Sequence, residues 1–83
     1  MQPQHHYVYI LTSLIDPTRH YIGYATDLKT RLQSHNTGQS THTNKYRPWR
    51  IETAISFTCE QKAFAFERYL KTGSGRAFAR RHF

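Results

Sequence analysis

The stretch that decides the fold covers residues 7–35, YVYILTSLIDPTRHYIGYATDLKTRLQSH. Aromatic and β-branched residues dominate 7–11 and 20–24, and this composition favours two strands. Asp16-Pro17 in the connection is typical of a turn, so the second strand is expected to return antiparallel to the first. Side-chain alternation assigns Tyr9 to one face of the first strand and makes Tyr21 and Gly23 share a face of the second.

A helix is expected after the second strand, capped at its start by Thr26 or Asp27 and ended beyond residue 36 by Gly38. At about 100° per residue, Arg31 and His35 lie one turn apart, beside or within the apolar stripe of this helix. Polar side chains normally occupy the opposite side, which faces solvent. This placement therefore requires a reason.

The second half of the chain supplies the remaining elements. Residues 37–50 lack periodicity and are rich in Ser, Thr, Asn and basic residues, which predicts a long surface loop with a function. Residues 51–57 alternate like a third strand with one buried face, and about 60–71 form a second helix. Residues 73–81 are expected to form a short basic helix with Phe78 packed back, or else a frayed end. Residues 1–6 are expected to be a disordered tail before a single domain over residues 7–83.

Glu67 is the most informative residue of the second helix. Ala63 and Leu70 face inward, and Glu67 falls in the same sector. A buried carboxylate is costly unless a cation meets it. A pair with Lys71 one turn on is the ordinary explanation, but it contributes only about 0.3 kcal/mol at an exposed site. A metal ion, or Arg31 across the core, explains the inward direction better.

The charge balance indicates a polyanionic partner. Twelve Lys+Arg residues against five Asp+Glu give a formal net charge of +7, and the pI is near 10.0. Basicity alone is also compatible with a merely soluble surface, but clustering of the cations favours nucleic acid, whose phosphates suit bidentate arginine contacts. The candidate nucleic-acid-binding residues are Lys45, Arg47, Arg50, Lys71, Arg76 and Arg80, with Arg81 beside them.

Composition also limits the compartment. The single cysteine, Cys59, excludes an internal disulfide framework and fits a reducing cytoplasm. No apolar run approaches the roughly 20 residues that span a bilayer, and the first residues lack the pattern of a signal peptide. We therefore expect a cytoplasmic protein without a membrane partner.

Five polar residues form the candidate catalytic site. Tyr9, Tyr21, Arg31, His35 and Glu67 come from two strands and two helices, and periodicity directs all five to one side of the sheet. Singly, each has an ordinary explanation, because strand tyrosines are commonly core residues and a lone histidine is usually structural. Together they suit phosphodiester hydrolysis: a carboxylate holds Mg²⁺, an arginine stabilises phosphate charge, and a phenol or imidazole takes a proton from water. A tyrosine, with a reference pKa of about 10, acts as a base only if neighbouring cations lower that pKa.

These motifs resemble the signature of the GIY-YIG nucleases. The tripeptide YVY at residues 7–9 precedes YIG at 21–23 by eleven residues, with YV standing where the family often has GI. Arg31, followed four residues later by His35, resembles the family's Arg-x-x-x-His helix, and Glu67 matches its metal-binding glutamate. The turn KTGSGR at 71–76 resembles that of short bacterial members. The chain is thus similar to a small single-domain bacterial member and to the N-terminal catalytic domain of the excision-repair nuclease subunit.

The resemblance implies an α+β fold, with a three-stranded antiparallel sheet flanked by helices. It also implies cleavage of one DNA strand with Mg²⁺ or Mn²⁺ as cofactor. In such enzymes Tyr21 would be the general base or its partner, with Tyr9 hydrogen-bonded nearby. Arg31 and His35 would contact the scissile phosphate or assist proton transfer, and Glu67 would anchor the cation.

One departure from the family pattern leaves a second function open. Several GIY-YIG endonucleases carry an Asn after the metal-binding glutamate, and none follows Glu67; Lys71 or Ser74 would take that polar role. The prediction is a metal-dependent endonuclease for branched, damaged or distorted DNA in repair or recombination, whose specificity comes from a protein partner or homodimer or else is low. The alternative is a nucleic-acid-binding module with weak turnover. A zinc module using Cys59 lacks the paired ligand spacing of such sites.

Overall fold

A computed structural model describes residues 4–83 of the chain. The elements are β1 (His6–Ser13), β2 (His20–Ala25), α1 (Leu28–Asn36), a short 3-10 helix (Asn44–Tyr46), β3 (Trp49–Phe57), α2 (Glu60–Leu70) and α3 (Gly73–His82). The three strands form one antiparallel sheet in the order β2-β1-β3, so the predicted α+β fold is confirmed. In this range no helix has both the length and the apolar character needed to span a membrane.

The central strand β1 contributes to a core on each face of the sheet. Its alternate side chains point to opposite faces, and both faces are covered by helices. The α2-side cluster consists of Val8, Ile10, Ala63 and Leu70. The α1-side cluster consists of Tyr9, Leu11, Ala25 and Trp49. A two-sided core lets so short a sheet bury enough apolar surface to be stable.

Strand β3 keeps the predicted alternation, with Ile51, Thr53, Ile55 and Phe57 less exposed than the residues between them, but these four side chains do not share one face of the sheet. Between Ile10 and Leu11 of β1 the pairing shifts by one residue, which leaves Glu52 as an extra residue in β3. A bulge of this kind reverses the direction of every side chain beyond it. Phe57 therefore packs on the α2 side, whereas Trp49 packs on the α1 side.

Helix α1 has the caps that the sequence predicts. The Asp27 carboxylate accepts a hydrogen bond from the Thr30 amide at 3.1 Å, and this bond lowers the pKa of Asp27. At the other end, the helix stops at Asn36 and Gly38 adopts the left-handed conformation with φ of +83°. The Gly38 amide donates to the His35 carbonyl at 3.3 Å, which closes the last turn.

The two ends of the described chain take part in the fold. Residues 1–6 were expected to be a disordered tail, but His6 begins β1 and His5 Nδ1 lies 2.9 Å from the Ser56 hydroxyl. Residues 1–3 lie outside the described residues. The basic helix expected near the C-terminus is present as Gly73–His82, and Phe78 packs against the α2-side cluster. The alternative of a frayed end is therefore wrong.

Gly75 should be essential for stability, because α3 begins directly against the end of α2. A Cβ at this position would overlap the Tyr69 carbonyl oxygen, and no rotamer change can relieve a clash with backbone. We expect Gly75→Ala to lower the free energy of unfolding by roughly 3 kcal/mol, measured by urea denaturation. Gly73→Ala is the matched control, since a Cβ there meets nothing within 4 Å. Equal losses in the two variants would contradict this packing.

Candidate active site

A buried hydrogen bond joins Tyr9 to His35. The sheet register places Tyr9 opposite Gly23 of β2, and a Cβ on that glycine would collide with the hydroxyl end of the Tyr9 ring. His35, near the end of α1, is only 2% exposed, and its Nε2 lies 2.9 Å from the Tyr9 hydroxyl. Gly23 therefore makes room for the Tyr9 ring.

The other ring nitrogen of His35 is held by Thr43. Nδ1 lies 2.7 Å from the Thr43 hydroxyl, which has a second partner in the Ser40 carbonyl at 3.5 Å. A carbonyl only accepts, so the hydroxyl donates to Ser40 and accepts from Nδ1–H. This arrangement favours the tautomer in which Nε2 accepts the Tyr9 hydroxyl proton.

Sequence reasoning missed Thr43 and Trp49. Residues 37–50 were expected to form a surface loop, yet Thr43 is 0% exposed and Trp49 4%. The Trp49 indole donates to the Thr43 carbonyl at 2.8 Å, and Asn36 bonds both backbone groups of Trp49, at 2.6 and 3.0 Å. The length of the loop was the available signal. The bulge that directs Trp49 to this face leaves no trace in the sequence.

Tyr21 completes an aromatic cluster with Tyr9 and His35. Its ring centroid lies 4.9 Å from that of His35 and 6.5 Å from that of Tyr9. Tyr21 is half-buried and borders an open groove along the outer strand, called here the β2-edge groove. Other residues on its border are Thr18, Arg19, Lys71 and Arg76. The groove therefore combines a phenol with several cations, which suits an anionic ligand.

The charges of Arg31 and Glu67 both act on Tyr9. Burial raises the pKa of Tyr9 to about 12; the nearby Tyr21 and Glu67 also raise it, while Arg31 lowers it. Arg31 is exposed on α1, so of the helical pair only His35 is buried. The other four predicted catalytic residues thus lie within electrostatic or direct contact range of the Tyr9 phenol, and that phenol stays protonated at neutral pH.

His35 is neutral in this environment. Burial lowers its pKa, and the positive charge of Arg31 one turn earlier lowers it further. A neutral imidazole has one N–H and one lone pair, which matches a donor bond to Thr43 and an acceptor bond from Tyr9.

Glu67 reaches the site from the other helical layer. Phe64, three residues earlier, packs on Tyr24 of β2 with ring centroids 4.4 Å apart. Lys71, four residues later, borders the β2-edge groove. Glu67 lies between them on the same face of α2, the face that is directed toward β2. Its side chain is 18% exposed, and its carboxylate accepts a hydrogen bond from Lys71 Nζ at 2.9 Å.

The prediction that all five residues project to one side of the sheet is wrong. Helix α1 packs on the Tyr9 face and α2 on the opposite face, so Arg31 and His35 approach from one layer and Glu67 from the other. The charges of Arg31 and Glu67 nevertheless both act on the Tyr9 phenol. In the described part of the chain Glu67 pairs with Lys71 and not with Arg31.

A divalent cation at Glu67 would depend on ligands beyond the protein. Among residues 4–83, no three His, Cys, Asp or Glu side chains form a group that could hold a metal. Mg²⁺, however, keeps several waters and often takes one or two carboxylates together with substrate phosphates. The Glu67 carboxylate, in a hollow that it borders with Gln61, Phe64 and Arg68, would be one such ligand for Mg²⁺ or Mn²⁺ if the Lys71 ammonium moved aside.

Three of the predicted nucleic-acid-binding residues lie near this groove. Lys71 and Arg76 border it, and Arg80, one turn after Arg76 on α3, borders an adjoining hollow. Arg19 also borders the groove, although the sequence did not single it out. Four cations therefore border either the groove that contains Tyr21 or the hollow next to it.

The other three predicted cations lie elsewhere. Lys45 is positioned over the Tyr46 ring, 5.4 Å from its centroid, and the Arg47 guanidinium lies against Gly38. Arg50 is exposed on β3. In the described chain none of the three borders the β2-edge groove.

Arg31→Gln should raise the pKa of His35, because it removes the positive charge that lowers it. Titration of the His35 Cε1–H NMR signal measures the change, with the exposed Lys29→Gln on the same helix as a control expected to show none.

In the wild type the folded pKa of His35 lies below the ordinary value of 6.5, so the unfolded chain binds the proton more readily. Stability should therefore fall as pH drops below 6.5 toward the folded pKa, and Arg31→Gln should lessen that fall. A lowered His35 pKa in this variant would contradict the assignment.

Thr43→Val should leave the buried Nδ1–H of His35 without a partner. We expect the free energy of unfolding to fall by about 2 kcal/mol, whereas Thr43→Ser, which keeps the hydroxyl, should lose much less. Urea denaturation measures both, and ¹⁵N chemical shifts of the ring report the His35 tautomer. Unchanged shifts in the valine variant would show that Thr43 does not set the tautomer.

Comparison with known proteins agrees with the fold and with the sequence motifs. The GIY-YIG catalytic domain family matches residues 5–81. The solution NMR structure of the UPF0213 protein BH0048 from Bacillus halodurans is similar, with a TM-score of 0.55 and 30% identity, over 92% of this chain and 80% of that one. No curated protein sequence matches significantly. The family match covers nearly the whole chain, and the chain therefore belongs to the GIY-YIG family of nucleases.

Proposed function

We propose that this protein is a metal-dependent endonuclease that hydrolyses phosphodiester bonds in branched, damaged or otherwise distorted DNA, in repair or recombination. Membership of a nuclease family supports the reaction class. The observation that carries the proposal is the surroundings of Tyr9. This phenol is bonded to His35, lies next to Tyr21, and is subject to the opposing charges of Arg31 and Glu67. A purely structural cluster does not need a cation and an anion at its rim.

The buried phenol and the half-buried phenol are proposed to have different roles. Tyr9 keeps its proton, because its pKa is about 12, and it donates to His35. Tyr21 borders the open groove, so its hydroxyl can reach a water that attacks a phosphate held there. We assign Tyr21 as the general base or its partner, with His35 and Tyr9 positioning it and assisting proton transfer.

The charged groups are proposed to bind the phosphate and the cofactor. Arg31 is exposed at the end of the cluster, where it can stabilise negative charge that develops on a phosphate. Lys71 and Arg76 would hold neighbouring phosphates along the groove. Glu67 would hold Mg²⁺ or Mn²⁺, which when bound supplies positive charge to the phosphate oxygens.

The substrate and the setting are proposed on charge and composition. A net charge of +7 favours DNA over a neutral ligand. One groove contacts only a short length of backbone, so we propose that a protein partner or a second copy of the chain adds specificity. Cys59 is a free thiol, which fits action in the reducing cytoplasm.

A nucleic-acid-binding module with weak turnover is the second candidate. It is favoured by the 2.9 Å pair between Glu67 and Lys71, which occupies the carboxylate that a cation would need. It is also favoured by the lack of an Asn after Glu67. This candidate differs from the first in one measurable respect: DNA binds in a salt-dependent way but is not cut.

Plasmid nicking distinguishes the two candidates. We expect the wild type to nick supercoiled DNA with Mg²⁺ or Mn²⁺, and Glu67→Gln and Tyr21→Phe each to slow nicking by roughly 100-fold or more. Glu60→Gln is the matched control, because Glu60 is an exposed carboxylate on the same helix, and it should retain the wild-type rate. Salt-sensitive binding without any nicking by the wild type would support the binding module instead.

A further inference from the structure

The loop between β1 and β2 exposes two large aliphatic side chains. Leu14 is 56% exposed and Ile15 is 62% exposed, more than any other large apolar residue among residues 4–83. They are adjacent in the sequence, directly after the end of β1, in a protein with a net charge of +7. Neither belongs to the two core clusters, so the fold itself does not account for them.

The start of this loop is held rigidly by Ser13. Its side chain is buried, with the residue 1% exposed, and its hydroxyl donates to the Tyr46 carbonyl at 2.6 Å. The same oxygen accepts from the amides of Ile15 and Asp16 at 3.2 and 3.1 Å. The backbone that carries the exposed pair is therefore fixed against the 3-10 helix.

The rest of the loop is equally constrained. The Leu14 amide donates to the Pro48 carbonyl at 2.9 Å, and the Arg19 amide donates to the Asp16 carbonyl at 2.9 Å. The Asp16 carboxylate accepts from the Thr18 amide and hydroxyl at 3.1 and 2.6 Å. A loop that is already held in one conformation loses little conformational entropy when its side chains bind a ligand.

The loop also leads directly to the candidate active site. Thr18 and Arg19 border the β2-edge groove together with Tyr21. The Arg19 guanidinium lies 4.7 Å from the centroid of the Tyr46 ring, and Lys45 Nζ lies 5.4 Å from the same centroid. The exposed apolar pair thus follows Ser13, which is bonded to Tyr46, the residue whose ring carries these two cations. The acidic residue of the loop, Asp16, is paired with Arg19 at 3.5 Å.

We propose that Leu14 and Ile15 contact DNA bases that are exposed where stacking in a duplex is interrupted. The neighbouring cations Arg19 and Lys45 then hold the flanking phosphates. This inference rests on the proposed function and names the feature of the substrate that is recognised. Aliphatic side chains of DNA-binding proteins insert between neighbouring base pairs, which requires these bases to unstack. The free-energy cost of unstacking is smallest where the bases are already unpaired. The two side chains are too small a patch for a stable protein interface, and the neighbouring cations match phosphates.

Binding to two duplexes tests the proposal. They share one sequence and length, and one of them carries a single unpaired base; fluorescence anisotropy in EDTA measures binding apart from cleavage. We expect the wild type to bind the bulged duplex about tenfold more tightly, and Leu14→Ser/Ile15→Ser to reduce this preference to about twofold. The affinity of the serine variant for the intact duplex should be unchanged, because the cations remain. Leu14→Met/Ile15→Met keeps the apolar surface and should keep the preference.

Several results would overturn the proposal. If wild type and serine variant preferred the bulged duplex equally, or if the wild type showed no preference for it, the loop would not contact bases. Nicking that depends on Glu67 would be unaffected by that result, and so would the proposed nuclease function. Analytical ultracentrifugation measures the oligomeric state of both proteins. If the wild type were a dimer and the serine variant a monomer, the loop would instead form a contact between two copies of the chain. Failure of the wild type to bind either duplex would overturn both this inference and the proposed action on DNA.

Discussion

The hydrogen bond between Tyr9 and His35 is the interaction on which the rest of the site depends. It ties the central strand to α1 and requires a glycine at position 23, since a Cβ there would strike the phenol. A buried imidazole must also satisfy its second nitrogen, and Thr43 does so. That bond draws the middle of a long loop into the core, where Trp49 covers it. In residues 4–83 no buried side-chain polar atom is left without a partner.

The same burial separates neutral from charged groups. It raises the pKa of Tyr9 and lowers that of His35, so both are uncharged at neutral pH. Arg31 is exposed and the Glu67 side chain is 18% exposed, so both charged groups remain in reach of solvent. A ligand that enters the β2-edge groove meets the cations Arg19, Lys71 and Arg76 at its border, together with Tyr21, which packs on the neutral rings of Tyr9 and His35. Such preorganisation is what stabilisation of a charged transition state requires.

The local elements could be predicted because their signals are local. The Asp27 cap and the Gly38 stop depend on residues within one helical turn, and strand composition identified β1 and β2. The bulge at Glu52 was not predictable, since an alternating pattern reads the same with or without an extra residue. Thr43 was missed for a related reason. A threonine in a polar loop looks exposed unless its partner, here His35, is known.

Sequence alone determined the strands, the helices, the family and five residues suited to one chemistry, because periodicity, caps and motif spacing are properties of neighbours along the chain. Only the tertiary structure decided that α1 and α2 cover opposite faces and that the charges of Arg31 and Glu67 act on Tyr9 from different helices. It also decided that Leu14 and Ile15 stand exposed in the loop between β1 and β2. These relations join residues distant in sequence, and they follow from which surfaces pack together, which no local pattern specifies.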